Sequence, residues 1–398
     1  MGYMKKALVF YLYGNRNAGD MAICMGTIEY LKEKGYEITM VSRFSEAEDE
    51  YLRSKEYVAE YYPDVKVYPG PFSFERDYSK MQKLAAYAKS YLKVLGILPD
   101  ERTRSLIHEA DVVYFNGGNL LRASTMADYL RLVGLFYPIR FAHKLGKPVY
   151  CLPQSTAKIS SFGEKLLGHY LKCFKAVYIR EEISLAELNK KYPSVPFVRG
   201  TDMAFLCKDT DLAAQRYRAL KTEDKKQTIA VVVRNTGIGD IGVLTQEKQD
   251  RLREELLVFV DNHPDDHYIV VIQTEKDRPF SQEICRAIQR KADAYTVECH
   301  DPLVLREIYK NVNFLITMRL HAGILALSAL TPVIGLFSEE WGMKNPGIMR
   351  DYRMPYIVIE DSNSYISDLK LECLDKEQCK KVVASQRCKL FATLMGEH

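Results

Sequence analysis

The residues best placed to do chemistry lie where an apolar run gives way to a helical pattern. In Thr317-Met318-Arg319-Leu320-His321-Ala322-Gly323 such a run ends at Arg319, and the small-residue stretch ILALSAL follows. Open α/β sheets bind ligands beyond the carboxyl ends of their strands, which is where Arg319 falls. His321 falls in the first helical turn, where free N–H groups and the positive end of the dipole attract a phosphate or carboxylate. The same dipole repels a guanidinium and an imidazole by roughly a few tenths of a kcal/mol. Fold stability therefore does not select them. A lone histidine at a helix start more often caps or packs; paired with an arginine it points to function.

Two further segments have the same placement. Tyr13-Gly14-Asn15-Arg16-Asn17-Ala18-Gly19-Asp20 joins a first strand to a first helix. Glycine and asparagine tolerate tight loop angles, and the N–H groups at the helix start suit an anion or a polar sugar. Asn17, Gly19 and Asp20 are the candidates, with Asp20 expected to cap the helix. An ordinary βα turn explains the segment about equally well. Phe115-Asn116-Gly117-Gly118-Asn119-Leu120-Leu121 follows another strand. Gly117, Gly118 and Asn119 there admit either a close ligand approach or a tight turn packing a helix onto the sheet.

Arg180 in VYIRE, Arg234 in VVVRN and Arg319 all terminate apolar strands, and together they suggest an anion site. Lys344 in WGMKNPG could add charge, and Gln154 in LPQS could present an amide to a ligand. His263 and His267 flank a turn and make no convincing metal pair. The nine cysteines show no CxxC and no Cys/His spacing, so zinc, disulfides and covalent thiol chemistry are not expected. They read as reduced, buried thiols.

The elements that must carry these residues alternate between strand and helix almost throughout. Ala7–Tyr13 reads as a parallel strand buried on both faces. A helix over Asp20–Lys34 follows, then strands at Glu37–Val41, Asp111–Phe115, Val149–Leu152, Ala176–Ile179 and Phe197–Val198. Residues 45–100 read as mostly helical. A charged stretch around 208–227 suits a helix plus an exposed linker. A second series then runs through strands Thr228–Val233, Tyr268–Ile272, Phe314–Met318, Pro332–Phe337 and Tyr356–Ile359. The expected organisation is an N-terminal domain over 1–207, a linker over 208–227, a C-terminal domain over 228–375 and a terminal helix over 376–398. The fold class is α/β, with two doubly wound, Rossmann-like domains facing across a cleft.

With 398 residues, 47% apolar and 27% charged, the chain reads as a soluble globular protein of two domains. A net charge of only +4, with no long basic run, argues against a nucleic-acid partner. The N-terminal apolar run is too short for a membrane span and lacks a cleavage site, so it reads as a strand.

Taken together these segments resemble the polysaccharide pyruvyl transferase family, from Gly14 to about Lys344. The family's G-N-x-G-D-x-A-I pattern is similar to Gly14, Asn17, Gly19, Asp20, Ala22 and Ile23. Its glycine-rich strand end resembles Gly117-Gly118, its Q-S element Gln154-Ser155, and its R-(D/E)-x-x-S element Arg180, Glu181 and Ser184. Its D-x-A-F element resembles Asp202–Phe205. The R-L-H element followed by P-V-I-G resembles Arg319-Leu320-His321 and Pro332–Gly335. Met21 and Asn119 depart from the family pattern, where an acid and a third glycine are usual.

The resemblance implies a glycosyltransferase-B-like fold and transfer of pyruvate from phosphoenolpyruvate to two hydroxyls of a sugar, forming a cyclic ketal. It implies donor binding by Arg319 and Arg234, with Lys344 a lesser candidate, and His321 as the acid. Arg180 would be either a donor ligand or a structural residue. The N-terminal half would take the saccharide, lipid-linked or not. No metal and no cofactor beyond the donor are expected. A cytoplasmic place, peripheral at the membrane, fits surface-polysaccharide assembly. Two other readings stand beside it: a nucleotide-sugar-dependent glycosyltransferase of the same architecture, and a non-catalytic saccharide-binding protein on that scaffold.

Overall fold

The computed structural model describes residues 4–72, 79–220, 227–235, 243–339, 344–361, 365–366 and 375–394. Contacts divide the chain into two units. The first comprises Met1–Asn15, Ile23–Leu206 and Thr393–His398; the second comprises Arg16–Ala22 and Cys207–Ala392. Of the stretch 208–227, Asp211–Ala219 is a helix, and residues 221–226 lie outside the described residues. The terminal helix runs over Lys376–Leu394.

The first unit holds β1 (Lys6–Leu12), β2 (Glu37–Ser42), β3 (Lys66–Tyr68), β4 (Val112–Phe115), β5 (Gly118–Ala123), β6 (Val149–Ile159), β7 (Ala176–Ile179) and β8 (Phe197–Arg199). Their order is β3-β2-β1-β4-β6-β7-β8, with β5 alongside β6, and the recorded strand pairs are parallel. The second unit holds β9 (Thr228–Val232), β10 (His267–Ile272), β11 (Asp293–Glu298), β12 (Phe314–Thr317), β13 (Val333–Phe337) and β14 (Tyr356–Val358). Their order is β11-β10-β9-β12-β13-β14, again parallel. Each unit is thus a doubly wound sheet whose strand order reverses at its first strand. That reversal opens a crevice between β1 and β4 in one sheet, and between β9 and β12 in the other.

The central strands explain why the sheets form. Every residue of β9, β10 and β13 is buried, and only Lys6 of β1 is not. Apolar runs covered by helices on both faces leave the parallel ladder as the one way to satisfy their backbone groups. In the second unit Ile229, Val231, Tyr268, Val270, Ile316 and Ile334 pack with Leu252, Leu256 and Phe259 of the helix Gln246–Asn262. In the first unit a Cβ on Gly26 would lie 1.8 Å from the carbonyl oxygen of Met203, so only glycine lets the helix Ala18–Glu33 approach the 3₁₀ turn Met203–Leu206.

Several elements escape the sequence reading. β3 is a three-residue strand inside the segment read as helical; the helices there are Asp49–Tyr61 and Lys80–Val94. β11 is an edge strand with alternating exposure and a charged residue at each end, so it lacks the apolar run that marks its neighbours. Residues 344–351, to which the sequence reading assigns no element, form the helix Lys344–Asp351. β6 runs to Ile159, seven residues past its expected end. No helix among the described residues is long and apolar enough to cross a membrane.

Candidate functional site

In the second unit, β9 and β12 pair with Val232 opposite Thr317. Arg234 and Arg319 each lie two residues beyond that pair, so they leave adjacent strands at the mouth of the crevice. The backbone N–H of Arg234 donates to Met318 Sδ at 3.4 Å, which ties the two strand ends together. Burial, and then the charge of Arg319, pushes the Arg234 guanidinium down to about 10, while Asp277 acts to raise it. It remains a cation at neutral pH. Two guanidinium groups in mutual electrostatic reach are unfavourable unless negative charge joins them.

Part of that charge comes from the chain. Arg319 occupies the N-cap of the helix Leu320–Ser328 but makes no cap bond with its side chain. Instead its Nε donates to Asp277 Oδ2 at 2.6 Å, one terminal nitrogen joins the same oxygen, and that nitrogen also donates to Thr274 Oγ1 at 3.0 Å. Thr274 Oγ1 donates in turn to Asp277 Oδ2 at 3.0 Å. Asp277 is 1% exposed and the Arg319 side chain 19% exposed. The carboxylate therefore fixes the guanidinium from beneath while part of it stays open. Thr274 and Asp277 were not singled out by sequence. They follow β10, the neighbour of β9, in Gln273-Thr274-Glu275-Lys276-Asp277, and the signal available was again a polar cluster at the end of an apolar strand.

His321 lies in the first turn of the helix that Arg319 starts, as its spacing predicts. The segment Arg16–Ala22 belongs by its contacts to this same unit, and within it Gly19 abuts the imidazole. A Cβ built on Gly19 would stand 2.5 Å from His321 Nδ1 and 2.8 Å from its Cγ. Two motifs far apart in sequence thus meet, and the glycine is what gives the ring its place. Asn17, rather than Asp20, caps this helix: its Oδ1 accepts from the Gly19 N–H at 3.1 Å, and its amide donates to Asp20 Oδ2 at 2.9 Å. The helix starts at Ala18, which puts Asp20 inside the first turn instead of before it. Lys344 begins the helix Lys344–Asp351, and its side chain lies outside the described residues.

In the first unit the structure gives other candidates different surroundings from those expected. Gln154 is fully buried: its amide nitrogen donates to the Asn116 carbonyl at 2.5 Å, and its Oε1 accepts from the Leu120 N–H at 3.1 Å. It joins the ends of β4, β5 and β6 rather than facing a ligand. Arg180 is also buried, with its NH1 on Asp202 Oδ2 at 2.6 Å and its Nε on Ser155 Oγ. Ser155 donates to Glu181 at 2.6 Å, and Ser184 bonds the same carboxylate. Three separate sequence elements thus meet in one internal ionic cluster, which favours the structural alternative for Arg180.

Gly117 sits beneath the Pro153 carbonyl and Ile23, and Gly118 adopts a φ of +135° that glycine alone tolerates. The chain there turns directly from β4 into β5 instead of into a helix, and Asn119 is a half-buried residue of β5.

Among the described residues no group of three His, Cys, Asp or Glu could hold a metal. Eight described cysteines are free, and all but Cys388 are buried. Burial pushes the Cys299 thiol up to about 12, so it stays protonated and inert.

Comparison with protein-family models matches residues 17–337 to polysaccharide pyruvyl transferase. The chain belongs to the polysaccharide pyruvyl transferase family. The matched span contains both strand-end arginines, His321 and the cluster around Arg180. No curated protein matches the sequence significantly.

Solved structures share the fold at low identity. The UDP-GlcNAc 2-epimerase from Neisseria meningitidis, bound to UDP-GlcNAc, is similar with a TM-score of 0.58 and 12% identity, over 98% of each chain. A glycosyltransferase from Rickettsia africae gives 0.57 and 11%, over 99% of this chain and 98% of that one. The sucrose-phosphate synthase from Thermosynechococcus elongatus gives 0.53 and 13% over the whole of both. These likenesses bear on the fold: two Rossmann-like units, as in glycosyltransferases and epimerases of the glycosyltransferase-B class.

Proposed function

We propose that this protein transfers a pyruvyl group from phosphoenolpyruvate to two hydroxyls of a saccharide, forming a cyclic ketal and releasing inorganic phosphate. The observation that carries the reading is the pair Arg234 and Arg319 at the mouth of the β9/β12 crevice, with His321 on the helix that follows. A phosphate and a carboxylate on a three-carbon donor match two planar guanidinium forks. Donor binding supplies the negative charge that relieves the repulsion between them. Asp277 holds Arg319 in one orientation, which keeps the guanidinium aligned with the charge that develops as phosphate departs.

The chemistry needs one proton delivered and two removed. C3 of the donor gains a proton to become a methyl group, and a sugar hydroxyl bonds to C2. The C2–O bond to phosphate breaks, and the second hydroxyl bonds to C2 to close the ring. Of the two hydroxyl protons, one balances that gained by C3 and the other leaves on the phosphate. His321 is the group assigned to proton delivery at C3, since imidazole exchanges protons near neutral pH. Arg319 and Arg234 stabilise the departing phosphate, so no metal is called for. The acceptor is a saccharide, as the family implies, and the reaction belongs to polysaccharide biosynthesis.

The test is incubation of purified protein with phosphoenolpyruvate and candidate saccharides. The expected result is phosphate release together with an acceptor mass gain of one pyruvic acid less one water. Release of a nucleoside diphosphate from a nucleotide sugar, with phosphoenolpyruvate left intact, would overturn the proposal.

A further inference from the structure

The first unit has guanidinium groups of its own near the ends of its strands, and donor binding by the second unit makes no use of them. β2 ends at Ser42 and Arg43 follows at once, its backbone N–H donating to the Leu12 carbonyl at the end of β1 at 2.9 Å. Tyr13 is the first residue past β1, and its hydroxyl donates to the Gly117 carbonyl, just past β4, at 2.8 Å. A Cβ on Gly118 would lie 2.5 Å from that hydroxyl. Tyr13 thus spans the β1/β4 crevice, and Arg43 follows the strand on the other side of β1.

Two more arginines come from β5 and the helix after it. Arg122 Nε meets Asp128 Oδ1 at 2.8 Å, and Arg131 Nε lies 3.7 Å from the same oxygen. One terminal nitrogen of Arg131 donates to the carbonyls of Leu120 and Arg122 at 3.1 and 3.0 Å; the other makes no hydrogen bond among the described residues. Burial, then the charges of Arg122 and Arg43, push the Arg131 guanidinium down to about 10, while Asp128 and Tyr13 act to raise it. Arg43, Arg122 and Tyr13 therefore all lie within electrostatic reach of Arg131.

The charges in this set do not balance. Asp128 is committed elsewhere with its second oxygen, which accepts from the Ser124 N–H and hydroxyl and from the Thr125 N–H at the start of the helix Met126–Lys144. Its single charge meets three guanidinium groups. Asp100, which acts with Arg43 on Tyr11, caps the helix Glu101–Glu109 and makes no ion pair with Arg43. Among the described residues the Arg43 side chain has no hydrogen-bond or ion-pair partner at all. Crowded cations are unfavourable until an anion joins them. Against Asp128 the excess is two charges, which one carboxylate offsets by half and a phosphate dianion offsets in full. Planar guanidinium forks match phosphate oxygens as well as charge.

We propose that Arg43, Arg122 and Arg131 form a phosphate-binding site in the first unit, and that the acceptor is a saccharide bearing a phosphate group. Calling this ligand the acceptor rests on the ketal-transfer reading; the site itself does not. The test is calorimetric titration of the full chain with the 1-phosphates, the uronates and the free forms of glucose, galactose and mannose. The proteins are the parent, Arg43→Gln, Arg43→Gln with Arg122→Gln, and Arg234→Gln. At least one 1-phosphate is expected to bind tenfold or more tighter than its uronate and its free sugar. That affinity should fall at least threefold in Arg43→Gln, which breaks no hydrogen bond, and at least tenfold in the double variant, while Arg234→Gln keeps it. Phosphoenolpyruvate should show the reverse pattern across the same proteins. The proposal is overturned if no 1-phosphate outbinds its uronate, if the Arg43→Gln single variant binds as the parent does, or if Arg234→Gln removes the binding. A 1-phosphate held through Arg43 by a protein that does not bind phosphoenolpyruvate would uphold this site and refute the donor reading alone.

Discussion

Replacing Asp277 by asparagine tests whether a buried carboxylate sets the working position of Arg319. The change keeps the side-chain shape and one oxygen facing the guanidinium, and removes only the charge. In the structure that oxygen takes the Arg319 Nε at 2.6 Å and the Thr274 hydroxyl at 3.0 Å. A hydrogen bond to a charged partner is worth about 1.5–3 kcal/mol. With the Arg319 side chain 19% exposed, solvent screens part of the attraction, so the lower half of that range applies.

Losing it lets the guanidinium drift, and a displacement of about 1 Å at a reacting group lowers turnover on the order of 100-fold. Donor affinity should move the other way or not at all, because removing a negative charge makes the crevice more attractive to an anion. Steady-state phosphate release should therefore show kcat down about 100-fold, with the KM for phosphoenolpyruvate unchanged or lower.

A melting curve separates this from unfolding. The asparagine amide nitrogen would replace Asp277 Oδ1, which is buried without a hydrogen-bond partner. The variant should then lose about 1–3 kcal/mol of stability and a few degrees of Tm, and stay folded at assay temperature. A kcat within about twofold of the parent, or a raised KM with kcat intact, would refute the reasoning.

Other outcomes follow from the same geometry. Gly19→Ala adds a methyl 2.5 Å from His321 Nδ1, so the ring must retreat by about 1 Å. Although alanine favours the helix by roughly 0.5–1 kcal/mol, kcat should fall on the order of 100-fold, with little further loss in the His321→Ala background. Arg234→Lys places an amine, ordinarily near 10.4, where burial and Arg319 have moved an arginine from 12.5 to about 10. The same burial and the same neighbouring guanidinium push the lysine amine below its ordinary value, so the variant should lose donor binding as pH rises into the alkaline range, while the parent does not; a pH–KM profile decides. Arg180→Met strands two buried carboxylates, Asp202 and Glu181, and should cost about 3–5 kcal/mol of first-unit stability. Thermal melts should show a Tm lower by on the order of 10 °C, and a parent-like melt would sink the structural reading.

The sequence by itself determined the architecture and the residues of half of the candidate site. Apolar runs such as Thr228–Val232 and Phe314–Thr317 separated by amphipathic helices permit little but parallel, doubly wound sheets, because each run must bury both faces. Arg234, Arg319 and His321 were legible for the same local reason: each sits where a strand ends or a helix begins. Short or edge strands such as Lys66–Tyr68 and Asp293–Glu298 were not, since an edge strand needs no continuous apolar run.

Which strand ends are neighbours is a matter of sheet order, and spacing along the chain carries no record of it. Only the tertiary structure put β9 beside β12, brought Asp277 up against Arg319, and set Gly19 against His321. It also turned Gln154 and Arg180 inward, because buried polar groups must find partners and the nearest ones came from elements 22 to 38 residues away.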